Sequence, residues 1–264
     1  MALFPFQTAY ATLVVEDLYT NMTPITISSL AIIVFAALIH ASFQLSLSVL
    51  TLLSGHSIGK KTAHRKVLRL MNCFISGVFT ITMLLITTIA YYLLAFVNHS
   101  ESIEQLVAAI VCGLMVGLGI ATWAFYYRRS EGTALWLPRG FAHYLNKRSK
   151  TTRGGNEAFA LGMASVIAEI VFIIGPVLAA SLAIITLPNS LWQVGGILLY
   201  VFLSMLPMLI MTIMVGSGHS VARLQRWREQ NKRFLQFLGG GSLFILAAFI
   251  FVDRILGIIT YGGL

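Results

Sequence analysis

This sequence predicts an all-α, polytopic membrane protein with six transmembrane helices, on three observations. Of its 264 residues, 58% are hydrophobic and only 10% are charged. Soluble domains carry about 25% charged residues, so composition alone puts the chain in a bilayer. Six apolar runs, near 24–54, 68–97, 106–127, 158–187, 190–216 and 234–257, are each long enough to cross the hydrocarbon core. Seventeen of the eighteen Lys and Arg lie in three segments between those runs, at 60–69, 128–153 and 223–233. That is the positive-inside pattern. It accounts for a net charge of +9 without a nucleic-acid partner.

The expected organisation is a single membrane domain over 1–264. Residues 1–23 form an outer N-terminal segment, 24–127 a first three-helix half, 128–157 a basic cytoplasmic loop and 158–264 a second three-helix half. Residues 1–23 hold Glu16 and Asp17 but no Lys or Arg, so they are expected outside, and they lack the basic start of a signal peptide. The triplets at Asn21 and Asn98 are formal glycosylation sequons on that side, of a kind common by chance. The loop at 98–105, with Glu101 and Glu104, and the Pro188-Asn189 turn also fit outside, which leaves both termini there. One cation dissents: Arg254 sits beside Asp253 near the outer end of the sixth run.

The runs are unequal. The first and fourth reach about 30 residues, where about 20 suffice, and extra length means tilt, an interfacial extension or a helix broken inside the membrane. They open the two halves and run in opposite directions, as the lead helices of a 3+3 inverted repeat would. The fourth run carries an acid, Glu169, and a Gly175-Pro176 step, which predicts a break that can act as a hinge. The first carries a softer polar alternation, His40, Ser42, Gln44, Ser46 and Ser48.

His40 and Glu169 each fall about halfway along their runs. If these two helices pack together, His40, Gln44 and Glu169 are expected to line one midplane site for a substrate, a proton or a cation. Histidine with carboxylate also suits a divalent metal, although His40 and Glu169 alone fix no identity. Against this stands the plainer expectation of a neutral acid and a histidine satisfied by neighbouring helices. A repeated Ser-Gly-His-Ser places His56 and His219 at the cytoplasmic mouth, where helix stops explain them as well as a paired site does. Gly113, Gly117, Gly119 and Gly239–Gly241 read as close-packing positions. In the middle loop, Trp136, Phe141 and Tyr144 interleave with Arg139, Lys147 and Arg148. That pattern suits an interfacial segment on an anionic leaflet, or a docking surface for a cytoplasmic partner.

Cys73 and Cys112 lie in separate runs without metal-binding or CxxC spacing, and no cofactor is expected. No HExxH, GxSxG or phosphate-binding glycine loop occurs, so the expectation is not an enzyme.

Several stretches, taken in order, carry a resemblance. Helix four's IIGPVLAASLAI is similar to the PCxGPxLxxxLAL helix of the CcdA/DsbD-type cytochrome c biogenesis family. LSVLTLLSGHS followed by RKVLRLMNCFISGVF resembles that family's first helix, turn and second helix. GGILLYVFLSMLPMLIMTIM and FLQFLGGGSLFILAAF resemble its last two spans, and the likeness covers most of 30–257. It extends more loosely to the LysE-like transporter superfamily. The resemblance implies a three-plus-three inverted fold.

The family's redox chemistry needs one cysteine in helix one and one in helix four. Here Ile173 and the His40-Ala41 region stand at those places. The expectation is therefore a transporter of a small solute or cation in an inner or plasma membrane, proton-coupled and working by alternating access. The alternatives are a transmembrane thiol or electron carrier with a thioredoxin-like partner, and a membrane scaffold.

Overall fold

The computed structural model describes residues 23–43, 49–50, 53, 61–97, 101–126, 145, 147–149, 151–217 and 230–257. Among them there is no strand. Six helices are long and apolar enough to cross a membrane: α1 (Pro24–Ser42), α2 (Lys61–Val97), α3 (Glu101–Ala121), α4 (Gly155–Ile185), α5 (Ser190–Gly216) and α6 (Lys232–Ile250). Two of them end in a wider π turn, α3 through Thr122–Tyr126 and α6 through Phe251–Leu256.

Local chemistry sets several boundaries. Thr23 caps α1 by accepting from the Thr26 N–H at 3.2 Å, and Pro24, which has no N–H to lose, takes the first helical position. Asn189 caps α5 in the same way, accepting from the Trp192 N–H at 3.0 Å. Glu157, in the first turn of α4, accepts from the Arg153 and Gly154 N–H groups at 3.0 and 3.4 Å. α2 starts seven residues earlier than its apolar run, so its first turns carry Lys61, Arg65, Lys66 and Arg69.

The two long runs behave differently from expectation. Helix one is the interrupted one: α1 stops at Ser42, the Phe43 N–H turns back to the His40 carbonyl at 3.1 Å, and the Ser42 hydroxyl donates to the Ile39 carbonyl at 2.7 Å. Serine hydroxyls that bond nearby carbonyls offer the backbone an alternative to helix, and that pattern begins here. Further along the same run, Val49, Leu50 and Leu53 are helical and buried. Helix four, by contrast, runs unbroken from Gly155 through Gly175-Pro176 to Ile185. The proline removes one hydrogen bond, but neighbours on several sides hold the helix together.

α4 is the central element, packed against α1, α2, α3 and α5. In its apolar window 61% of residues are buried, against 33–44% in the other five, so it is apolar on all sides while they keep one face for lipid. Outward-facing Leu84, Phe96, Ile120, Phe202, Ile213 and Ile245 are among the exposed side chains that a bilayer would cover.

The tightest crossing is α2 on α4. A Cβ on Gly77 would run into the Phe159 carbonyl, and one on Gly162 into the Phe74 carbonyl, so each glycine admits the other helix's backbone. Other glycines serve less directly. Gly175 faces Leu114, Met115 and Leu118 of α3, Gly119 faces Phe244, and Gly239 and Gly240 face Phe43 and Trp123. Gly113, Gly117 and Gly241 have no neighbour within 4 Å of an added Cβ, which corrects the packing role expected of them.

Candidate functional site

Two contacts fix the register of α1 against α4. Near the start of α1, the Ser29 hydroxyl lies 2.9 Å from that of Thr186, just past the end of α4. At the end of α1, Phe43 stacks on Phe172 with centroids 6.4 Å apart and planes 14° from parallel. Fourteen residues forward on one helix correspond to fourteen back on the other, so the pair is antiparallel with constant register. His40 is therefore level with Gly175, not with Glu169. The two sites are six residues apart along α4, about 9 Å of helical rise.

Polar groups along this interface accordingly form separate layers. In one, His40 Nδ1 lies 2.8 Å from the Tyr200 hydroxyl of α5, both side chains being buried. In another, beyond the Phe43–Phe172 stack, Glu169 is buried with Ser165 one turn before it on the same face. The midplane acid–imidazole couple does not form in this register. His40 turns to Tyr200, and Glu169 lies one layer beyond the Phe43–Phe172 stack. Gln44, His56 and His219 fall outside the described residues, as do Asn21, Asn98 and 127–144 of the middle loop.

A metal bridging His40 and Glu169 is disfavoured by the same separation. Among the described residues no three His, Cys, Asp or Glu side chains converge. The thiols also face different neighbours: Cys73 meets Gly155 of α4, while the buried Cys112 donates to the Ala247 carbonyl of α6 at 3.4 Å.

A third polar layer, missed as a site by sequence reasoning, closes the end where α1 and α3 begin. Arg254, in the π turn after α6, is only 5% exposed. Its Nη2 donates to Ser29 Oγ at 2.7 Å and to Thr186 Oγ1 at 2.9 Å. Its Nη1 lies 3.8 Å from Glu104 of α3. Its Nε is 2.9 Å from Asp253 Oδ2, a close ion pair outside hydrogen-bond alignment. One guanidinium thus ties α1, α3, α6 and the end of α4. The signal in the sequence was the dissenting charge itself, an arginine at the wrong end for the positive-inside rule.

At the opposite end, α3 and α6 meet in a matching way. Gln236, in the second turn of α6, donates to the Thr122 and Trp123 carbonyls at 3.0 and 2.7 Å, inside the π turn of α3. Trp123 donates to the Phe237 carbonyl at 3.3 Å and stacks on the Phe237 ring. No family model, curated protein or solved structure matches this chain.

Proposed function

We propose that this protein is a multi-pass membrane transporter that moves a small solute or cation along the α1–α4 interface, with proton coupling through Glu169. The observation that carries the reading is the complete burial of the Glu169 carboxyl in the most enclosed helix, beyond the last turn of α1 along their shared interface. An acid inside an apolar bundle is costly, and where a helix ends within the span it can meet a mobile proton or cation. His40 and Tyr200 supply a second polar station about 9 Å further along, by helical rise. The Phe43–Phe172 stack lies between the two stations and serves as the apolar barrier, and the Arg254 cluster seals the far end.

Alternating access suits an inverted 3+3 repeat, and the packing supports one. α1 packs on α4, α5 and α6, and α4 packs on α1, α2 and α3 and, more lightly, on α5. Exchanging each helix for its counterpart in the other half turns the first set into the three partners α1, α2 and α3 of the second; the α4–α5 contact lies outside the exchange. The π turns obey the same exchange. The end of α3 is satisfied by Gln236 from the start of α6, and the end of α6 is paired with Glu104 from the start of α3. π turns are frequent at functional sites and give a helix end room to rearrange. Gly175 and Pro176 act here as a packing step against α3 on a continuous helix, in place of an open hinge. This reading accords with the LysE/CcdA-like resemblance without its paired thiols.

The test is flux into proteoliposomes carrying a pH-sensitive dye, over a panel of monovalent and divalent cations and small organic solutes. Wild type should couple proton movement to at least one of them. Glu169→Gln, with unchanged thermal stability in detergent, should lose the pH dependence of that flux. Unaltered pH dependence in the variant would remove Glu169 from the mechanism.

A further inference from the structure

Beside the start of α2 and the start of α4 lies a cleft of about 480 Å³ lined by four basic residues. Arg65, Lys66 and Arg69 line it from α2 and Arg153 from the approach to α4, with Leu70 and the Gly154-Gly155 backbone completing it. All four cations are exposed, and none is paired with a carboxylate among the described residues. Glu157 does not neutralise them: it accepts from the Arg153 and Gly154 N–H groups and lines a neighbouring groove with Arg148 and Thr152. Within α2, Arg65 and Arg69 are four residues apart and Lys66 and Arg69 three, so like charges neighbour one another on the helix, an arrangement that costs stability without a counter-charge. No side chain at 154 or 155 intrudes.

We infer that this cleft binds a phosphate-bearing anion, and that its occupant is the headgroup of an anionic phospholipid. Several cations around one concavity match the multiple acceptor oxygens of a phosphate, and arginine forks suit them best. Position selects the lipid. The apolar spans of α2 and α4 begin at Arg65 and Gly155, so the cleft lies level with headgroups where the two helices enter the bilayer. Just inside, the Gly77–Gly162 crossing holds these helices together, so a bound headgroup would bridge the ends of the tightest helix pair. The inference does not depend on what the protein transports.

The experiment uses full-length protein in phosphatidylcholine nanodiscs, following thermal stability and lipid retention by native mass spectrometry as phosphatidylglycerol is added. Wild type should be stabilised and should retain phosphatidylglycerol. Arg65→Gln/Arg69→Gln/Arg153→Gln should weaken retention by about fivefold per cation removed. A control, Lys147→Gln/Arg233→Gln, removes exposed cations outside the cleft and should retain lipid like wild type. Equal unfolding temperatures in pure phosphatidylcholine verify that both variants fold.

Glycerol phosphate, added as a soluble probe, separates the sources. Stabilisation by it equal to that by phosphatidylglycerol would keep the anion site and overturn the lipid as its occupant. Equal losses in the two variants, or no effect of phosphatidylglycerol on wild type, would overturn the site.

Discussion

Arg254 makes two hydrogen bonds and two ion pairs where apolar sequence surrounds it. A guanidinium that is nearly buried costs several kcal/mol in desolvation unless its donors are met. Ser29 and Thr186 accept from its Nη2, and Asp253 and Glu104 balance its charge as ion pairs, from three other helices or helix ends and from its own turn. Arg254→Ala should therefore lower stability by about 3 kcal/mol, because two carboxylates and two hydroxyls lose their shared partner. Thermal unfolding in detergent measures this, and Arg254→Lys should recover only part of it, since an ammonium cannot fork to Ser29 and Thr186 together. A loss within experimental error for Arg254→Ala would make the cluster incidental. His40 has a narrower role. Its ring is held by one hydroxyl, Tyr200, which fixes its orientation in the bundle.

Among the elements, the α2–α4 pair is the joint on which the bundle depends. Reciprocal glycines let two backbones approach within the reach of a methyl group, which supplies van der Waals contact where lipid offers no hydrophobic drive between helices. Gly77→Val or Gly162→Val should abolish recovery of monodisperse protein, while Gly117→Ala, with nothing within 4 Å, should purify like wild type. Size-exclusion profiles decide it. If Gly77→Val also behaved like wild type, the close crossing would not be needed for folding. The contrast shows why glycine counts in a membrane sequence mislead: Gly113 and Gly117 face outward, and Gly77 and Gly162 carry the contact.

At the scale of the whole molecule, the cationic ends of α2 and α4 meet at one face and the Arg254 cluster closes the other. The positive-inside rule predicts that the first faces the cytoplasm. Single cysteines placed at Lys66 or Lys147, in a chain whose Cys73 and Cys112 are replaced by serine, should react with a membrane-impermeant maleimide only in inverted vesicles. A cysteine at Ser102, exposed near the start of α3, should react only in intact cells. Labelling of Lys66 and Ser102 from the same side would refute the six-span topology.

Much of this architecture was legible in the sequence, because spanning a bilayer demands long apolar helices and satisfied backbone, and both leave marks in one dimension. Run lengths located six spans, and the Pro188-Asn189 turn falls between α4 and α5 as expected, with Asn189 capping α5. What the chain could not reveal was register. Two residues at similar depths in their own runs look level until contacts such as Ser29–Thr186 and Phe43–Phe172 fix how one helix lies along the other. That offset split His40 from Glu169. Packing also sets the Gly175-Pro176 step inside a continuous helix, with side chains of α3 against Gly175. Arg254 changed from an exception to the charge rule into a four-way contact for the same reason. Composition and periodicity determine that a side chain must be buried, but only tertiary packing decides which partners it is buried against.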